Sequence, residues 1–177
     1  YAMDRMGAFL QKHGPWEQLV KLKNIQIVGL EPGAPIQLNK RLRATPMLVP
    51  HRDEYSETVG FIIEGPKRAF LYLPDVDKWE RMKTPIESLI SRVDVAFLDG
   101  TFYTDDELPG RAMSEIPHPF IAESLIRFKD LPKTERSKIH FIHFNHTNPV
   151  LRLEESQDDQ VERAGMSIAT EGQAFPL

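Results

Sequence analysis

The sequence predicts a layered α/β fold, a mixed sheet covered by helices. Three observations lead there. Apolar or alternating runs of strand length fill the first half at 25–30, 36–38, 41–49, 58–63 and 68–73, whereas the second half alternates strand with helix. The chemistry-bearing side chains fall in turns directly after apolar runs, where a rigid sheet hands residues to a site. Finally, 177 residues with 41% hydrophobic and 27% charged content suit one domain with a substantial core, read here as a single domain over 1–177.

In chain order, Asp4 is placed to cap a helix over 5–13, with Met6, Phe9 and Leu10 on one face. Gly14-Pro15 breaks it, and a second short helix runs to Lys21. Residues 25–30 read as a strand, Glu31-Pro32-Gly33 as a turn and 36–38 as a short strand. A strand over 41–49 follows. Residues 58–63 and 68–73 flank Gly65-Pro66 and read as a hairpin. Thr84, Pro85 and Glu87 form a capping-box pattern for a helix ending near Arg92. The segment 93–98 is a strand closed by Asp99-Gly100-Thr101, and 105–117 is a polar surface loop or lid that begins just after Tyr103. A helix over 119–128, a strand over 138–143, a solvated helix over 154–164 and a strand over 167–170 complete the reading.

Composition excludes several classes. A net charge of −4 without a basic stripe argues against a nucleic-acid partner. No apolar run approaches the roughly 20 residues that span a bilayer, so no membrane partner is expected. The expected compartment is the cytoplasm or the periplasm. With no cysteine, neither disulfides nor thiolate metal sites can form.

Three turns carry the chemistry. His51 follows the apolar end of the strand over 41–49, Asp75 follows the strand over 68–73, and His143 follows the strand over 138–143, where three of the six histidines lie between positions 140 and 146. A carboxylate between two histidines, each at the end of its own strand, suits a hard or borderline divalent metal. Asp77 rivals Asp75, and His146 rivals His143 as ligand or serves as an acid/base or substrate contact. His118 is either an acid/base group or a helix-start residue before Pro119. Asp99 either holds a histidine in its tautomer or caps a strand. Arg52 and Glu54 form a site ion pair or a solvated turn. His13 and His140 read as structural.

Five stretches in order resemble one family. They are Val49-Pro50-His51-Arg52-Asp53-Glu54, Leu71-Tyr72-Leu73-Pro74-Asp75-Val76-Asp77-Lys78-Trp79, Leu98-Asp99-Gly100-Thr101-Phe102, Ile116-Pro117-His118-Pro119 and Phe144-Asn145-His146-Thr147-Asn148-Pro149. Together they resemble the coenzyme PQQ synthesis protein B branch of the metallo-β-lactamase fold. The Asp99 and His118 segments are also similar in placement to motifs of the ribonuclease Z relatives. The family's His-x-His-x-Asp-His loop, which precedes these motifs, is not in this sequence.

The resemblance implies a portion of an αββα sandwich lacking its N-terminal part, with one sheet nearly complete, the other short of strands, and an apolar face left to cover. It implies His51, Asp75 and His143 as metal ligands. His118 and His146 are implied as catalytic proton carriers, with Asp99, Arg52 and Asp77 supporting them. The implied cofactor is a divalent metal (zinc, iron or manganese), held weakly or not at all by this chain alone. The implied function is metal-activated water or dioxygen chemistry connected with pyrroloquinoline quinone biosynthesis. The alternatives are a metallo-hydrolase of the ester or phosphodiester type and a non-catalytic binding or carrier relative. Expected partners are a small-molecule or peptide-derived substrate, and a missing N-terminal portion or second copy over the exposed sheet.

Overall fold

The computed structural model describes residues 1–152 and 157–177. Two helices open the chain, α1 (Asp4–Lys12) and α2 (Trp16–Lys21). Strands β1 (Ile36–Gln37), β2 (Arg43–Leu48), β3 (Val59–Glu64) and β4 (Ala69–Leu73) follow, then α3 (Ile86–Ile90), β5 (Val95–Asp99), α4 (Ile121–Phe128), α5 (Lys133–Arg136), β6 (Ile139–Ile142), α6 (Gln157–Arg163) and β7 (Ser167–Ile168). All seven strands join one sheet in sequence order. The strands β1 to β4 pair antiparallel through tight connections. From β4 onward every pairing is parallel, and crossovers containing α3, α4 and α5, and α6 carry the chain back.

Register assigns the two faces. Ile62 pairs with Leu71, Leu71 with Ala96, Ala96 with Ile139, and Phe141 with Ile168. These side chains share one face with Leu73 and Leu98. They pack there with Ile86, Leu89 and Ile90 of α3, Ile121 and Phe128 of α4, and Val161 of α6. Each large apolar side chain fully buried there contributes about 1.5–3 kcal/mol of transfer free energy. Helices α3, α4 and α6 cover this face, and the ends of β4, β5 and β6 lie side by side as one row.

The opposite face carries Phe61, Ile63, Phe70, Tyr72, Phe97 and His140. Phe175 of the C-terminal tail lies edge-on to Phe97 at 5.0 Å and to His140 at 4.9 Å. Tyr72 nevertheless stays 41% exposed and Leu48 56% exposed. The described residues form one sheet and contribute no strand to a second.

Several local expectations need correction. Residues 25–30 form no strand: a lone parallel bridge joins Ala2 to Gly29, because no further strand lies alongside. The capping box at Thr84 is not made. Pro85 is the N-cap without a side-chain bond, and Glu87 turns to Arg127, whose Nε donates to it at 2.6 Å. Half of such a box forms at α4, where Glu123 accepts from the Phe120 amide at 3.0 Å and Phe120 has no side-chain acceptor to complete it. The solvated helix expected over 154–164 is described from Gln157, and its first residues lie outside the described residues.

Candidate metal centre

The open row of strand ends gathers three turns. The Asp77 amide donates to the Pro50 carbonyl at 2.7 Å, which joins the His51 and Asp75 turns. The Gly100 amide donates to Ile142 O and the Asn145 amide to Thr101 O, both at 2.9 Å, which seats the His143 turn on the end of β5. The buried Asn148 side chain donates to the carbonyls of Gly100 at 2.8 Å and Thr101 at 3.2 Å. A Cβ on Gly100 would stand 2.9 Å from Phe144 Cε1 and 3.1 Å from Ile142 O, so only glycine permits this approach. His143 itself adopts φ +65°, an unusual conformation for a residue with a side chain and one that clusters at functional sites.

Asp99 is the hub. It is fully buried and accepts four hydrogen bonds. Its Oδ1 accepts from the Thr101 amide at 2.9 Å and the Thr101 hydroxyl at 2.7 Å, while Oδ2 accepts from the Val76 amide at 3.0 Å and His118 Nδ1 at 2.7 Å. Since the carboxylate only accepts, His118 carries its proton on Nδ1. The single proton of Thr101 Oγ1 goes to Asp99, so this hydroxyl accepts from His143 Nδ1, 3.0 Å away. One carboxylate thereby sets the tautomer of two histidines and leaves both Nε2 atoms with lone pairs.

Asp77 does the same for His51. Its Oδ1 accepts from His51 Nδ1 at 3.3 Å, and its Oδ2 accepts from Arg81 Nη1 at 2.7 Å. The resulting lone pair on His51 Nε2 faces Asp75 Oδ1 at 3.1 Å. The Asp75 side chain is a third exposed, yet its Oδ1 atom is buried and has no hydrogen-bond partner among the described residues. Atoms at this separation share either a proton, as an ion pair of imidazolium and carboxylate, or a metal cation. Metal–ligand bonds of about 2.0–2.2 Å place neighbouring donor atoms near 3 Å apart. The donor set therefore fits a divalent cation.

His118 and His143 border the same space. The rings of His51 and His118 have centroids 5.5 Å apart, and those of His118 and His143 are 6.4 Å apart. His118 Nδ1 is 3.7 Å from Asp75 Oδ1. One ligand-capable atom from each of Asp75, Asp99 and His118 lies within 4.8 Å of the others. Both oxygens of Asp99 are already committed, so Asp99 acts as the holder in that group. Burial by itself lowers the His118 pKa. The hydrogen bond and charge of Asp99, joined by the charges of Asp75 and Asp77, outweigh it and hold the imidazole above its ordinary value.

Of the residues expected at the site, His51, Asp75, Asp77, Asp99 and His118 come together and His143 lies beside His118, while the ligand-atom group found among the described residues is Asp75, Asp99 and His118, without His51 or His143. His146 is exposed and makes no hydrogen bond or ion pair among the described residues, so nothing seats its ring at the cluster. Arg52 turns away from Glu54. Its Nη2 donates to the Glu115 carbonyl at 2.8 Å and pins the 105–117 loop. Sequence reasoning missed Thr101 as the link to His143 and Asn148 as the anchor of the turn. The Asp-x-Thr spacing at a strand end, which lets a hydroxyl fold back on the carboxylate, was the available signal.

Comparison with known proteins identifies the family and the fold. Residues 1–144 match the family model described as β-lactamase superfamily domain. Coenzyme PQQ synthesis protein B of Nitrosococcus oceani is 31% identical over 137 residues, 72% of this chain and 43% of that protein. The protein of the same name from Rhizobium meliloti is 32% identical over 178 residues, 90% of this chain and 56% of that protein. The chain thus spans about half the length of the curated relatives it matches. The crystal structure of Zn(2+)-bound PqqB from Methylobacterium extorquens superposes with a TM-score of 0.79 at 21% identity, covering 100% of this chain and 64% of that one. With the matched motifs on the row of strand ends, the chain belongs to the β-lactamase superfamily domain family, where it is similar to coenzyme PQQ synthesis protein B.

Proposed function

We propose that this chain supplies one half of a metal-dependent site in a protein of pyrroloquinoline quinone biosynthesis, acting on a small or peptide-derived substrate. The observation that carries the reading is the buried Asp75 Oδ1, without a hydrogen-bond partner among the described residues and 3.1 Å from His51 Nε2 and 3.7 Å from His118 Nδ1. His51, Asp75 and His143 are the residues assigned to hold the metal. A divalent ion bound there supplies Lewis acidity and lowers the pKa of bound water. The name shared by the relatives, coenzyme PQQ synthesis protein B, supports the pathway.

The protein's own residues have distinct tasks. Asp77 and Asp99 hold histidine Nδ1 protons so that the Nε2 atoms face the site. His118 accepts or delivers a proton at Nε2, and Asp99 steadies the imidazolium formed. The Phe102 ring stands edge-on to His118 at 5.9 Å and keeps water from that side. His146, on the rim, contacts substrate rather than metal.

Complementation of a strain lacking the gene, read as pyrroloquinoline quinone produced, tests the assignment. His51→Ala and Asp75→Ala should remove both metal and product. His118→Gln should keep the metal and lower turnover by roughly 10²–10⁴-fold, the usual range for a lost acid/base. Full product formation by Asp75→Ala would refute the reading.

A further inference from the structure

The segment 105–117 begins just past the end of β5 and leads to His118, and side chains tie it near both ends to turns of the candidate metal centre. Near its start, Glu107 accepts from the Tyr103 amide, from the Thr104 amide at 3.0 Å and from the Thr147 hydroxyl at 3.4 Å. Thr147 belongs to the His143 turn, where its hydroxyl also accepts from Asn145 Nδ2 at 2.6 Å. Near its end, the Glu115 carbonyl accepts from Arg52 Nη2 at 2.8 Å, and Arg52 is the neighbour of His51. We infer that Glu107 and Arg52 are positioning residues that fasten 105–117 as a strap between the His143 and His51 turns, and that this strap fixes the backbone at His118.

Packing joins the two tethers. Met113 is buried in one apolar cluster with Phe102 and Phe120, and Leu108 and Ile116 pack on it. Phe102 adjoins Tyr103, whose amide is bound by Glu107, and its ring also meets His118 edge-on. From the Arg52 tether to His118 the chain is short and bonded. The Ile116 amide donates to Met113 O at 2.9 Å, and the His118 amide donates to Ile116 O at 2.8 Å. Asp99 thus holds one atom of the His118 ring, whereas the strap holds its backbone.

Ordering an irregular segment costs backbone entropy at every residue, so the bonds near its two ends decide whether it keeps one arrangement. In an ordinary surface loop each of these bonds would act only on its neighbours. In a strap, loss of either tether loosens both ends. That the strap serves turnover rests on the function proposed above. Its fastening does not.

Amide hydrogen exchange of the metal-free chain, with chelator present, tests the strap. Arg52→Ala should speed exchange at Ile116 and His118 by about three- to tenfold, the net worth of one hydrogen bond. It should also speed exchange at Asn145 and Asn148, beside the other tether. Glu107→Ala should speed exchange at these four amides too. Arg52→Lys keeps a donor for the carbonyl, and Glu107→Gln keeps an acceptor for the two amides, so both should restore the wild-type rates. Unchanged exchange at Ala96 and Gly100, whose amides bond to the β6 segment, shows that the sheet is intact. Changes confined to the mutated end, or no restoration by the conservative variants, would overturn the inference. If Glu107→Ala does not fold, Arg52→Ala, a change at an exposed side chain, decides alone. Cobalt titration of the same proteins separates the two proposals. Coupled exchange without cobalt binding supports the strap and contradicts the metal centre. Cobalt binding without coupled exchange does the reverse.

Discussion

His118 Nδ1 and Asp99 Oδ2 lie 2.7 Å apart, and through Thr101 the same carboxylate reaches His143. The contact makes Asp99 a positioning residue for two imidazoles, one in the connection before α4 and one just after β6. Asp99→Asn keeps the shape but offers one acceptor oxygen in place of two. Metal affinity, measured by competition with a chromophoric chelator, should fall by about 10–100-fold, the usual effect of losing an outer partner.

Thr101→Val dissects that arrangement. The valine fills the space of the threonine, the backbone bond from residue 101 to Asp99 persists, and the hydroxyl link to His143 is lost. Long-range nitrogen–proton NMR of the histidine rings should show His143 as a mixture of tautomers, with His118 still protonated at Nδ1. A change at His118 alone would mean that Thr101 is not the link.

Stability of the metal-free chain should depend on pH through the same pair. The folded His118 pKa is raised above its ordinary 6.5. The stabilisation is therefore complete below that value and is lost as pH rises through the higher folded value. His140 runs the other way, because burial lowers its pKa, so its contribution is lost on acidification. Urea unfolding with chelator present should show the wild type losing more stability than His118→Gln as pH rises above the ordinary 6.5. Parallel curves would remove His118 from the account.

Gly100→Ala should cost about 1–3 kcal/mol, the range for overpacking. The added methyl meets Phe144 and the Ile142 carbonyl, which is held in the β5–β6 connection. Thermal unfolding reads the loss. Ala at Gly29, where an added Cβ meets nothing within 4 Å, is the control.

Much of this was legible in the sequence because pattern and chemistry agreed. The β3–β4 hairpin showed itself by two apolar runs around Gly65-Pro66, and the β5 and β6 strands by fully buried runs of strand length. His51, Asp75, Asp99 and His143 were visible because each follows such a run. What stayed hidden depended on distant partners. The residues at 25–30 have strand propensity but no strand to pair with. Glu87 has a capping pattern, yet an arginine 40 positions away takes its carboxylate. Asp-x-Thr spacing signals the Thr101 bond to Asp99, but the reach of Thr101 and Asn148 between β5 and the His143 turn does not show in the local sequence. The convergence of Asp77 on both His51 and Arg81 likewise needs the folded turns.

Whether His51 Nε2 and Asp75 Oδ1 hold a metal between them is read by cobalt titration of the chain followed by visible absorption. The account predicts one equivalent bound, with ligand-field bands of a nitrogen–oxygen donor set, in wild type. In Asp75→Ala and His51→Ala these bands should be absent at the same cobalt concentration. Bands of undiminished intensity in both variants would contradict it.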